Sequence, residues 1–332
     1  MRRRQFITLL GGAAAWPLAA RAQQPAMPVL GVLNAGTAAD EVTAPNMVAL
    51  REGLRDAGYV EGRNLAIEYR FAENYYERLP ALASDLVRRQ VAVIFASGGS
   101  QGPPAAKSAT TTIPIVFAGG LDPIQSGLVT SLNRPGGNIT GVSFASNISE
   151  SKRLGLLHAM IPAVTTIGVL MNPDNASAET QTRDLNAAAR ALGMKLEIAN
   201  ARGEGDFERA FASLVERGAR GLDVASDVVL NRLIGKLAVL AARYGLPAIY
   251  APNVDARASA AAGGLMSYGA STEQAFHQAG IYIGRILHGE KPGDLPVMLP
   301  TNFQLAINLK TAKALGIEVP PTLSAIADEV IE

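Results

Sequence analysis

The chain has 332 residues, 48% of them hydrophobic, with 30 Lys and Arg, 29 Asp and Glu, and no cysteine. A net charge of +1 supplies no field that would gather nucleic acid or anionic membrane, and without cysteine the fold must rest on its core rather than on disulfides. The length allows an ample core and favours two domains.

The chain opens MRRRQFITLLGGAAAWPLAARA. Arg2, Arg3 and Arg4 form a basic start, and residues 6–20 are apolar but too short to span a bilayer. Ala20 and Ala22 place small side chains where a signal peptidase reads them. Arg3-Arg4-Gln5-Phe6-Ile7 resembles the twin-arginine export signal. Residues 1–22 are therefore expected to be an export signal cleaved after Ala22, leaving a periplasmic protein. The alternatives are a retained anchor or a basic start to a cytoplasmic protein. Cleavage removes four arginines and no acids, moving the formal charge from +1 to −3, and takes away the single tryptophan, Trp16. No later stretch reaches the roughly 18 apolar residues of a membrane span.

Residues 28–34 (PVLGVLN) read as a strand. Met47, Leu50, Leu54 and Ala57 recur at helical spacing, and Gly58 supplies a stop. A strand follows at 64–71, a helix at 75–89, and strands at 91–96, 113–118 and 138–145. The alternation of strand and helix is that of a parallel sheet covered on both faces.

The rhythm restarts at 165–172, with a helix to Leu192, a strand at 195–200, and a helix capped by Asp206 with Phe207, Phe211 and Leu214 on one side. A strand at 221–227 leads into a helix ending at Tyr244, followed by strands at 246–253 and 263–269. TIPIVFAG and GLPAIYAP are both proline-led and both fourth in their half, which points to two similar α/β lobes; a single large doubly wound domain is the alternative. Residues 271–288 read as an amphipathic helix, 291–308 as extended and proline-punctuated, and 309–316 as a short helix.

Six segments, in order along nearly the whole mature chain, carry a resemblance: GYVEGRNLAIEYRFAE, ATTTIPIVFA, DPIQSGLVTSLNRPGGNITGVS, VLMNPDN, LPVMLPTNFQLAINLKTAKALGI and ADEVIE. The chain resembles the extracytoplasmic substrate-binding proteins of ABC importers, of the tryptophan/tyrosine type. The resemblance implies a type I periplasmic-binding fold: two Rossmann-like lobes with parallel sheets, a three-stranded hinge and a ligand in the cleft. On that pattern the crossings fall near 140–144, 266–270 and 297–301. Lobe 1 would comprise 28–142 plus 268–298, and lobe 2 residues 143–267 plus 299–332.

Gly98-Gly99-Ser100-Gln101-Gly102 formally matches the G-x-S-x-G nucleophile turn of hydrolases. A nucleophilic serine needs a base, and the three histidines (His158, His277, His288) fall within or at the end of helices rather than on a loop after a strand. Binding is the better use of the loop, because glycines bring backbone N–H groups close to a ligand; a purely structural βα turn is the alternative. Ligands collect outside the carboxyl ends of parallel strands. That rule selects Asn34, Thr37, Ser97, Gly98, Gly99, Ser100, Gly120 and Asp122 in the first lobe. In the second it selects Asn172, Asn175, Ser226, Asp227, Tyr250, Asn253 and Tyr268. Asp227 suits either a ligand ammonium or a helix cap, and Asp122 suits a turn. Tyr250 and Tyr268 suit either stacking on a flat ligand or the core.

No P-loop, dinucleotide fingerprint, zinc set or basic stripe is present, so no cofactor, metal or nucleic-acid partner is expected. The expectation is a monomeric solute receptor, not an enzyme, that captures an amino acid, an aromatic acid or a similar small carboxylate and delivers it to an ABC permease. An exported sensor is the second reading, and a serine hydrolase using Ser100 a remote third.

Overall fold

The computed structural model describes residues 27–37, 43–144, 146–252 and 256–332. The expected export signal and Asn253 lie outside them.

The first sheet is built from β1 (Val29–Asn34), β2 (Ala66–Phe71), β3 (Val93–Ser97), β4 (Ile115–Gly119) and β5 (Ile139–Ser143), in the order β2-β1-β3-β4-β5. Every pairing is parallel. The four strands other than β2 are almost wholly buried, which is why they read as continuous apolar runs. Helices α1 (Thr43–Asp56), α2 (Leu79–Arg88) and α3 (Gly102–Ala109) connect them. The helix expected over 75–89 is divided: a 3-10 turn at Tyr76–Arg78 precedes α2, after left-handed Glu73 and Asn74.

The second lobe carries α4 (Ser146–Met160), α5 (Ala178–Ala191), α6 (Glu204–Glu216), α7 (Val228–Arg232), α8 (Ile234–Arg243) and α9 (Ala256–Ala261). Its sheet contains β6 (Thr166–Met171), β7 (Lys195–Asn200), β8 (Leu222–Val224), β9 (Ala248–Tyr250), β10 (Met266–Gly269), β11 (Gln304–Asn308) and β12 (Glu329–Ile331). The order is β7-β6-β8-β9-β10-β11-β12. Its first five strands repeat the 2-1-3-4-5 order of the other sheet, and the two matched octets supply β4 and β9, at equivalent places. β11 runs antiparallel to β10, and β12, which the periodicity does not announce, pairs parallel with β11. Two local expectations change. Gly203, not Asp206, stands at the N-cap of α6, and Asp206 accepts from the Arg202 amide in the first turn. The helix expected to run to Tyr244 breaks at Leu233 into α7 and α8.

The chain crosses between the sheets three times: after β5, after β10, and on the approach to β11. The first and third crossings are tied together, with Ser143 N donating to Met298 O and Met298 N to Gly141 O, both at 2.9 Å. After the second crossing, α10 (Thr272–Leu287) returns to the first lobe. Its Phe276, Ala279, Tyr282, Ile283 and Ile286 share a core with Leu30, Val32, Leu50 and Leu54. α10 approaches α1 almost backbone to backbone: a Cβ at Gly53 would lie 1.9 Å from His277 O, and one at Gly280 2.4 Å from Leu50 O. The short helices α11 (Leu309–Ala314) and α12 (Pro321–Ile326) finish the second lobe.

Candidate functional site

The carboxyl ends of both sheets face one cleft. On the first wall, Asn34 closes β1: its Nδ2 donates to Ser97 Oγ at 2.9 Å and its Oδ1 accepts from Gly36 N at 2.7 Å. The chain then turns through Gly98 and Gly99, with φ of 88° and 77°. A Cβ at Gly98 would sit 2.3 Å from Ala35 N, so only glycine lets this loop lie against the end of β1. Ser100 follows, and α3 begins at Gly102 and Pro103.

The second wall is organised around Asp227. Its Oδ1 accepts from Val229 N, Leu230 N and Asn172 Nδ2, and its Oδ2 from Asn175 Nδ2 and Tyr76 Oη. Asp227 is thus the N-cap of α7 as well as a cleft residue. Burial raises its carboxyl above the usual range, against the pull of those hydrogen bonds, led by Asn172. Five donors meet the roughly four acceptor sites of a carboxylate, which leaves a ligand ammonium no unused lone pair there.

Beneath this wall lies a buried charge cluster that strand-end reasoning missed. Glu150 and Arg153 project from α4 and Asp223 from β8, with relative exposures of 0%, 1% and 0%. Arg153 Nε donates to Asp223 Oδ1 at 3.3 Å and its Nη2 to Ser226 Oγ at 3.2 Å; Nη2 also stands 3.5 Å from Glu150 Oε1. Glu150 Oε1 accepts from Gln181 Nε2 at 2.8 Å and Ser226 N at 3.0 Å. Burial pushes the Glu150 carboxyl up to about 7 despite the adjacent guanidinium, and it raises Asp223 as well.

The cleft encloses ≈ 950 Å³ of empty space, its open mouth included. Asn34, Asn46, Gly98, Gly99, Ser100 and Gly120 line it from the first lobe, and Arg153, Asn175, Gln181, Ser226, Asp227 and Asn231 from the second. Phe144 and Ala270 come from the crossings, and Thr272 and Phe276 from the start of α10. The walls also touch directly. Ser177 Oγ donates to Ser100 Oγ at 2.8 Å, Gln101 Nε2 to Asp174 O at 2.9 Å, and Tyr76 Oη to Asp227 Oδ2 at 3.1 Å.

Of the expected site residues, Asn34, Gly98, Gly99, Ser100, Gly120, Asn175, Ser226 and Asp227 converge on the cleft. Ser97 and Asn172 are buried just behind it, holding Asn34 and Asp227. Thr37 is not among the lining residues. Asp122 is a turn organiser, its Oδ1 accepting from Ile124 N and Gln125 N. Tyr250 is fully buried in the second-lobe core, where burial raises its hydroxyl. Tyr268 packs on the other core of that lobe and stacks on Phe303 at 5.9 Å. Neither tyrosine lines the cleft. The Ser100 hydroxyl bonds that of Ser177, and no histidine lines the cleft among the described residues.

Residues 40–331 match the family described as ABC transporter substrate binding protein. The chain belongs to that family. The chain is also similar to several individual proteins. A tyrosine-binding protein of Clostridioides difficile (strain R20291) is 28% identical over 270 residues, covering 80% of this chain and 75% of the relative. The crystal structure of a conserved domain protein from Vibrio cholerae matches with TM-score 0.83 at 28% identity, covering 92% of this chain and 99% of that one. The ligand-free, open structure of a Clostridium difficile substrate binding protein with adhesive properties matches with TM-score 0.65 at 25% identity, covering 92% and 99%. A Streptococcus pneumonia ABC domain in complex with L-Trp shares the fold, with TM-score 0.78 at 24% identity over 91% and 100%.

Proposed function

We propose that this substrate-binding protein works outside the cytoplasm, captures an amino acid, an aromatic acid or a similar small carboxylate between its lobes, and hands it to an ABC permease. The observation that carries the reading is the cleft, whose polar lining is drawn from both lobes while its floor holds one guanidinium. A solute touching both walls gains most of its contacts only when the walls are together, so binding shifts the population toward closure. The relatives that bind tyrosine and L-Trp support the amino acid class. The moving bodies are the two lobes, divided near residues 142, 268 and 298 as the sequence suggests, with β10 keeping Met266–Gly269 in the second sheet.

A thermal-shift screen of amino acids, aromatic acids and small dicarboxylates tests this. A ligand at about 100 times its Kd adds roughly 2.7 kcal/mol of stability. The expected hit is an acid with an aromatic or apolar side chain, and small-angle scattering should show compaction on its addition. A screen in which no solute shifts the melt refutes the receptor reading.

A further inference from the structure

We propose that Arg153 is the carboxylate anchor of the cleft and that Glu150 is the proton-holding partner that lets the buried cluster accept another anion. This rests on the solute-receptor reading above. Arg153 and Asp227 are the charged side chains lining the cavity among the described residues. Asp227 is saturated by five donors, whereas Arg153 is not: its Nε and Nη2 are engaged, and no described residue accepts from Nη1, which carries two N–H groups. A guanidinium presents its donors as a planar fork suited to a carboxylate. Asp223 and Ser226 hold Arg153 from behind, so its orientation is fixed before a ligand arrives.

The charge balance gives Glu150 its part. One guanidinium already faces two buried carboxylates, and each of these has an oxygen, Glu150 Oε2 and Asp223 Oδ2, without a hydrogen-bond partner. A ligand carboxylate adds a third negative group to one cation in a low-dielectric site, which favours protonation of a neighbouring carboxyl. Glu150 is the group placed to take that proton. The charged groups around it are Arg153 on its own helix and Asp223 on β8. From α5 comes the neutral amide of Gln181; in the core that α4 covers, β9 brings Ile249 and β10 brings Met266 and the phenol of Tyr268, while Tyr250 lies in the other core. Its free carboxyl already titrates at about 7 because it is buried. Capture of an acid then draws a proton from solution, and affinity falls as the pH rises above that value.

The test is isothermal titration of the wild type with L-tyrosine and L-tryptophan, each beside its primary carboxamide, at pH 6, where the amides keep their ammonium. The acids should bind about 10- to 100-fold more tightly than the amides. Arg153→Lys should bring the acids down to the level of the amides while leaving the amides unchanged within about threefold. If that variant does not fold, the paired Arg153→Gln, Asp223→Asn variant removes one charge of each sign and makes the same comparison. Titrations at pH 7.5 in two buffers of different ionisation enthalpy should show proton uptake with the wild type and none with Glu150→Gln. Equal loss of acid and amide in the Arg153 variant, or acid binding without proton uptake in the wild type, overturns the inference. So does a screen in which only neutral or cationic solutes bind, an outcome that leaves the receptor reading standing. A screen with no binder removes both.

Discussion

The hydroxyl of Tyr76 and the carboxylate of Asp227 meet across the cleft at 3.1 Å, although 151 positions separate them in the chain. Tyr76 belongs to the 3-10 turn ahead of α2, and Asp227 caps α7. Burial raises the Tyr76 hydroxyl far above its ordinary range, and the negative charge of Asp227 raises it further, so the donor keeps its proton at any pH the protein meets. On the proposed closure the bond would last only while the lobes are together, which would make it a latch on the closed form.

Tyr76→Phe should loosen that latch without disturbing either core. Losing one hydrogen bond of this kind costs on the order of 1 kcal/mol, about fivefold in ligand affinity. The free protein should also scatter as a more extended particle. Unchanged scattering and unchanged affinity together would show that the latch is idle.

Neighbouring glycines should fail in different ways. A Cβ at Gly98 strikes Ala35 of its own lobe, whereas one at Gly99 comes within 2.9 Å of Val228 Cγ2 across the cleft. Both positions have positive φ, so each alanine carries strain of roughly 1 kcal/mol. Gly98→Ala should lower the melting temperature of the free protein, and the main effect of Gly99→Ala should be to weaken ligand binding by obstructing closure. Melts and titrations of the pair separate the two effects; a reversed pattern would contradict the geometry.

Glu150 gives stability a pH dependence of definite sign. Its folded carboxyl titrates at about 7, above its ordinary 4.5. Between those values the native protein holds a proton that the unfolded chain releases. Its contribution is therefore complete below pH 4.5, declines through the window, and is gone above pH 7. Glu150→Gln cannot ionise, so it should melt higher relative to wild type at pH 8 than at pH 5. Parallel melting curves for the two proteins from pH 5 to pH 8 would rule the shift out.

Gly53→Ala or Gly280→Ala should destabilise the first lobe by roughly 1–3 kcal/mol, as overpacking does, because backbone atoms of the facing helix cannot move aside as a side chain can. Chemical denaturation of the free protein measures this directly. A loss below 0.5 kcal/mol, on the ordinary surface scale, would mean that α1 and α10 can part at little cost.

The strands were legible where both faces are covered. Runs such as VLGVLN and TIGVLM have no polar alternation to obscure them, and their polar ends pointed to Asn34, Ser100, Asn175 and Asp227. β12 was not legible, because Glu329, Val330 and Ile331 form a short edge strand, half-exposed or exposed, whose pattern resembles a tail. Tyr250 was ambiguous for the opposite reason: in a strand buried on both faces, alternation does not distinguish core from cleft. Arg153, Glu150 and Gln181 escaped because they reach the floor from helices, whereas the rule applied looks only beyond strand ends. A signal was available in Glu150 and Arg153, charged at i and i+3 on a helix whose neighbours Leu154 and Leu157 are fully buried.

The return of α10 to the first sheet sets the order in which the protein can be built. Leu30, Val32 and Leu50 leave the ribosome early, yet the side chains that cover them, from Phe276 to Ile286, emerge after the first five strands of the other sheet. Until then the nascent first lobe carries an uncovered apolar face, and closing it means bridging more than 200 residues of intervening chain. Loop-closure entropy grows only slowly with length, so the finished lobe loses little stability by this arrangement, but contacts so distant in sequence form late and slowly. A chain that stops before α10 presents an open core to its neighbours, and truncation there should yield aggregates rather than a soluble half-receptor.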